Sequence, residues 1–342
     1  MKLIKTEDAV GHVLCHDMTR IVRGEMKGPQ FKKGHIVTEE DIPMLLSMGK
    51  ENIYVWEKTP NMLHEDEAAE ILKDLCFNAN MEASEPSEGK IEIKATCDGL
   101  LKVDTKTLFD VNSIDDMVIA TRRSNTCVRK GEKIAAMRVV PLVIEKSRLD
   151  AARAIASCSG KPILEVRPFK QMRACIITTG SEVAKGRIKD TFTPVVIEKL
   201  AGYNISVIEH MTCEDDTGSI IEAIAKARQT DADMILCTGG MSVDPDDRTP
   251  GAIKESGARI VTYGAPVLPG AMFLLGYYDD GKVVMGLPGC VMYAKATIFD
   301  LMLPRIVSGE RLEKKDFVKL GHGGLCLSCE HCNFPNCSFG SN

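Results

Sequence analysis

From about Pro168 onward, short apolar runs alternate strictly with amphipathic stretches. That alternation constrains the chain to an α/β domain, a parallel-rich sheet with crossover helices in three layers. Strands are expected at Arg173 to Thr178, Ile205 to His210, Asp233 to Thr238, Arg259 to Thr262 and Lys282 to Met285. Runs of about five apolar residues without alternation fit strands buried on both faces. Helices are expected at Asp190 to Ala201, capped by Asp190 and closed by Gly202, and at Asp215 to Gln229. Two more are expected at Thr249 to Glu255 and Val291 to Arg305.

The centre of this half is Asp233 to Asp247, DMILCTGGMSVDPDD. An apolar strand ends at Thr238 and runs into two glycines, Ser242 and a group of acids. Such a turn suits an anion, with the acids placed to hold a metal or position a reacting group. In a parallel sheet the ligand lies beyond the carboxyl ends of the strands. That rule groups three segments: Thr178-Thr179-Gly180-Ser181-Glu182, Thr238-Gly239-Gly240-Met241-Ser242 and Gly286-Leu287-Pro288-Gly289. One glycine turn has a purely conformational reading. Three at matching strand ends point to a phosphate-bearing ligand. For Asp246 and Asp247, capping of the helix after Arg248 is the competing reading.

The first half is a mixed, β-rich region without a catalytic constellation. Ala9 to Met18, Gln30 to Ile36 and Asn52 to Trp56 read as extended, and Thr38 opens a short helix. Glu65 to Phe77 reads as an amphipathic helix, and 78–90 as a loop or linker. Lys90 to Leu101, Thr107 to Asp110 and Val139 to Ile144 read as strands, and Ser147 to Ala156 as a helix. His12, His16, His35 and His64 are isolated and read as surface or satisfied core histidines. The expected division is an α/β module over 1–85, a small β-rich module and linker over 86–168, the α/β domain over 169–308, and a connector with a Cys-rich tail over 309–342.

A chain of 342 residues, 44% hydrophobic and 27% charged, fits a packed globular protein of two or three domains. The formal charge of -5 argues against a general nucleic-acid binder. No apolar run reaches the roughly 18 residues of a membrane helix, and the first residues do not read as a secretory signal. Nine of the thirteen cysteines are scattered, among them Cys15, Cys97, Cys175 and Cys237, and read as buried reduced thiols. A reducing cytoplasm is the expected location.

Four segments carry a family resemblance: TTGSE (178–182), CTGGMSVDPDD (237–247), GAPVLPGAM (264–272) and GLPG (286–289). They resemble the signature segments of molybdopterin-binding domains, and the late Pro-Gly steps are most similar to those of molybdopterin molybdenumtransferases. The resemblance implies molybdenum cofactor biosynthesis, with adenylylated molybdopterin, molybdate and Mg2+ as reactants and AMP as product. It implies Glu182, Asp233 and Asp247 as the catalytic acids. Thr179, Gly180, Ser181, Thr238, Gly239, Gly240, Ser242, Pro269, Gly270, Pro288 and Gly289 would meet the pterin ligand. A homodimer is implied, and a molybdoenzyme partner fits the same reading. The chain departs from the family where basic residues usually stand, at Leu268 and Ala271, and where Asn-Pro usually stands, at Cys290-Val291. These departures leave a non-catalytic carrier or sensor as the alternative.

The last 17 residues hold Cys326, Cys329, Cys332 and Cys337, spaced x2, x2 and x4. Thiols at this density select zinc or an iron–sulfur cluster. The segment is expected to be an appended metal-binding or redox element.

Overall fold

The computed structural model describes residues 2–22, 26–55, 61–242, 244 and 247–341. Trp56, the expected end of a strand, and Asp246 lie outside the described residues. The chain divides into two compact units, one of residues 1–97, 101–124 and 129–166 and the other of residues 98–100, 125–128 and 167–342.

In the first unit, Lys133–Val139 pairs antiparallel with both Lys90–Ala95 and Met117–Thr121. The helix Glu65–Cys76 starts with a capping box: His64 accepts from the Asp66 N–H, and Glu67 accepts from the His64 N–H. The buried His64 also meets the Cys15 carbonyl at 2.5 Å, so it is a satisfied core histidine. Thr105–Asn112 is a helix, not the expected strand. The Asp104 carboxylate accepts from the Thr107 N–H and hydroxyl, and this cap outweighs the β-branched composition of the segment.

In the second unit the expected alternation is present, with one strand more. In chain order the elements are β1 (Arg173–Thr179), α1 (Ser181–Ala184), α2 (Phe192–Ala201), β2 (Ser206–Cys213), α3 (Thr217–Gln229), β3 (Met234–Thr238), α4 (Thr249–Glu255), β4 (Arg259–Tyr263), β5 (Leu274–Tyr277), β6 (Val283–Leu287), α5 (Ile298–Val307) and α6 (Lys314–Val318). They make one six-stranded sheet in the order β2-β1-β3-β6-β5-β4. The first four strands run parallel, and β5 and β4 complete it antiparallel.

Successive residues of each strand feed opposite cores. Ala174, Ile176, Met234 and Leu236 pack on one side with Val196 and Leu200 of α2 and Phe299 and Met302 of α5. Cys175, Ile177, Ile235 and Cys237 pack on the other with Ile220 and Ile224 of α3 and Ile253 of α4. All five residues of β3 are buried, as a strand covered on both faces must be. Each such aliphatic side chain contributes about 1.5–3 kcal/mol on burial, so these two layers fix the sheet and the loops at its ends.

Helix α5 begins at Ile298, later than expected, because Gly289–Met292 forms a separate 3-10 turn. The Cys-rich tail is not a free appendage. Phe339 is buried in the core that holds Phe273 and Phe317, and Cys326, Phe334 and Cys337 pack against it.

Candidate functional site

The register brings the glycine turns to one edge. Thr178 of β1 lies beside Thr238 of β3, and Thr238 beside Leu287 of β6. Gly180, Gly239–Gly240 and Pro288–Gly289 therefore follow three adjacent, parallel strand ends. Leu274, the first residue of the antiparallel β5, pairs with Gly286. The β4–β5 loop with Pro269 and Gly270 thus leaves the sheet at the same rim.

Close packing explains the glycines. Gly239 has φ +86, and a Cβ on it would lie 2.3 Å from the Thr179 carbonyl oxygen. Gly270 has φ +122, and its Cβ would meet Ile298 Cγ2 at 2.6 Å. Thr249 locks the turn from below, donating to the Gly239 carbonyl at 2.9 Å and standing 3.3 Å from the Thr179 hydroxyl. Ser242 and Gly289 are exposed at the rim, and Pro288 is buried.

The acids sort differently from expectation. Glu182 is exposed on α1, directly after Gly180. Asp247 is half-buried beyond β3 and helps shape its own turn, its N–H donating to the Asp244 carbonyl at 2.9 Å. Burial of the Tyr263 hydroxyl, with the Asp247 charge adding to it, raises the Tyr263 pKa, and that hydroxyl donates to the carbonyls of Met241 and Ser242. Asp233 is not brought to the rim, which corrects its grouping with Glu182 and Asp247. It precedes β3, and five residues at about 3.3 Å each place it about 16 Å from Thr238. There its carboxylate accepts the Arg173 N–H at 2.7 Å and ties the starts of β1 and β3 together.

Sequence reasoning missed a polar cluster beneath the rim. The Thr178 hydroxyl lies 3.1 Å from Asp190 Oδ2, 2.9 Å from the Thr193 hydroxyl and 3.0 Å from His210 Nε2. The Thr238 hydroxyl donates to Thr178 at 3.4 Å. Burial alone would raise the Asp190 pKa, but hydrogen bonds from Thr193, Phe192 and Thr178 hold it below the usual carboxylate value. Asp215 was also missed; it accepts the Ser181 N–H at 3.2 Å and so braces the first glycine turn. The local signal for Asp215 was its place in the acidic run Glu214-Asp215-Asp216 after β2.

The four tail cysteines border the β4–β5 loop. The Leu268 N–H donates to the Gly324 carbonyl and the Cys326 N–H donates to the Leu268 carbonyl, both at 2.8 Å. Among the described residues, no three His, Cys, Asp or Glu side chains stand together tightly enough to hold one metal ion.

Residues 175–308 match a family model described as a probable molybdopterin binding domain, and residues 3–57 match one described as a domain of unknown function. A molybdopterin molybdenumtransferase of Staphylococcus aureus (strain MRSA252) is 28% identical over 155 residues, 43% of this chain and 36% of that protein. One from Haemophilus influenzae is 28% identical over 165 residues, covering 45% of this chain and 39% of that protein. The chain therefore spans well under half the length of these curated relatives. Among solved structures, a tungsten cofactor synthesizing protein MoaB from Pyrococcus furiosus is similar at 20% identity, covering 42% of this chain and 99% of that chain with a TM-score of 0.35. The α/β domain of the second unit is thus the part of the chain that is similar to molybdopterin-binding domains.

Proposed function

We propose that the rim binds adenylylated molybdopterin and that the protein inserts molybdenum into it with release of AMP. The observation that carries this reading is the register Thr178–Thr238–Leu287, which sets three glycine turns side by side at a single sheet edge. Gly239, Gly240 and Ser242 are the groups for phosphate, and Glu182 and Asp247 are the acids for a hard cation. Mg2+ characteristically takes one or two protein carboxylates and completes its shell with water and substrate phosphate, so two carboxylates at the rim suffice. Bound there, it would neutralise charge on the departing phosphate. Molybdate is then a second substrate.

A specific observation favours a second reading, that of a non-catalytic molybdopterin carrier or sensor. Leu268 and Ala271 occupy positions where a cation would serve an oxyanion, and Leu268 is 57% exposed beside Pro269. Each missing charge-assisted bond is worth about 1.5–3 kcal/mol.

One experiment separates the readings: pure protein is mixed with adenylylated molybdopterin, Mg2+ and molybdate, and AMP is measured. Release that depends on molybdate supports the transferase. Tight binding without AMP supports the carrier. AMP release without molybdate points to a pyrophosphate hydrolase instead, and absence of binding removes the pterin reading altogether.

A further inference from the structure

The tail lines a cavity that shares only Pro269 with the residues assigned to the pterin ligand. A pocket of about 400 Å³ is lined by all four tail cysteines, Cys326, Cys329, Cys332 and Cys337, together with Pro269 and Lys295. Its walls belong to the folded domain. Gly324 is packed so closely that a Cβ on it would lie 2.5 Å from the Pro266 carbonyl oxygen, and the Gly340 N–H donates to the Gly323 carbonyl at 2.9 Å. Cys329 and Cys332 are exposed and fill no apolar layer, while Cys326 and Cys337 line the same cavity and also pack against the core.

The geometry points to an iron–sulfur cluster of the four-iron type as the occupant, held by these four cysteines. All four cysteines line this one cavity of about 400 Å³. A single zinc ion draws four sulfurs to about 2.3 Å from one centre and fills little of a cavity of this volume. A cubane carries its four irons on its own corners, so its ligands stand apart around a larger volume. The x2, x2 run of the first three cysteines lets one short loop reach three corners, and Cys337 reaches the fourth after a longer arc. Loading a cluster preassembled on a thiol carrier is ligand exchange: each of its four Fe–S bonds to the carrier breaks as one to a tail cysteine forms, the cysteine's S–H proton passes to the departing thiolate, and there is no net oxidation. The site carries net negative charge once loaded; Lys295 on its wall offsets part of it, and Glu330 on the same wall adds to it.

The test does not involve pterin, so its failure is distinct from failure of the transferase reading. The full chain is purified without oxygen, and iron, acid-labile sulfide and zinc are measured alongside the visible spectrum. About four iron and four sulfide per chain with a broad sulfur-to-iron charge-transfer band are expected. Cys329→Ser and Cys332→Ser, each at an exposed position, should lose the band and the iron while keeping the fold by circular dichroism. Cys158→Ser, an exposed cysteine outside the tail, should keep both. Zinc at one per chain without sulfide, a metal-free protein, or iron retained in both tail variants each overturns the inference.

Discussion

Gly239 and Thr179 stand so close that a methyl group on the glycine would meet the Thr179 carbonyl oxygen at 2.3 Å and its hydroxyl at 2.7 Å. This contact joins the turn after β3 to the end of β1, so two of the proposed ligand loops are one packed unit. Gly239→Ala adds both a clash with backbone and a side chain at φ +86. The expected cost is about 2–4 kcal/mol. Urea denaturation measures it, and loss of pterin binding should exceed the loss of fold. A variant as stable as the parent would mean that the turn repacks freely.

Asp190 should impose a pH dependence on stability. Its carboxylate accepts the N–H groups of Phe192 and Thr193 at 2.9 and 3.0 Å and meets two threonine hydroxyls. Its folded pKa is depressed, so its contribution is present above the unfolded value of about 3.9 and is lost as pH falls through the lower folded value. Asp190→Ala should cost about 1–3 kcal/mol at pH 7. The difference from the parent should shrink as pH is lowered from about 5 to 3. Parallel stability–pH curves for the two proteins would show that the carboxylate charge plays no part.

Thiol reactivity should follow burial and not cysteine number. Burial pushes the Cys76 thiol up to about 12 and the Cys175 thiol to about 11, and raises that of the fully buried Cys237 as well. At pH 8 a thiol of pKa about 12 is ionised to about one part in ten thousand. Alkylation of the native, metal-free chain followed by peptide mapping should label Cys158, Cys329 and Cys332 first. Cys76, Cys175 and Cys237 should react only after denaturation. Labelling of Cys237 at the rate of Cys158 would contradict its place on the buried face of β3.

The α/β domain was legible because its strands are buried on both faces and its helices are amphipathic; both signals are local. Leu274–Tyr277 escaped because its apolar run shows no alternation of its own, although Asp279-Asp280-Gly281 after it carries the signal of the turn that pairs it with β6. The nine scattered cysteines were read as buried, yet Cys158 is exposed and Cys97, Cys127, Cys213 and Cys290 are half-buried. The cluster of Thr178, Asp190, Thr193 and His210 joins residues from two strands and a helix start, and no spacing announces it. The tail's density of thiols was visible in sequence. Its docking on Leu268 was not, since two backbone hydrogen bonds carry no residue signature.

The two ends of β3 make opposite predictions for their acids. Asp233 accepts the Arg173 N–H and has no route to the rim, so Asp233→Ala should lower stability by about 1–2 kcal/mol and leave pterin affinity unchanged. Among the described residues, the Asp247 carboxylate accepts one N–H, from Asp244, at 3.3 Å, a local contact within its own turn. Asp247→Ala should therefore change stability by less than about 1 kcal/mol while cutting Mg2+-dependent turnover or binding by roughly 10–100-fold, the equivalent of one charge-assisted contact. Denaturation midpoints and pterin titrations on the two variants give a crossed pattern if the rim is the site. If Asp233→Ala were instead the variant that lost turnover at unchanged stability, the chemistry would lie at the other end of the sheet, away from the glycine turns.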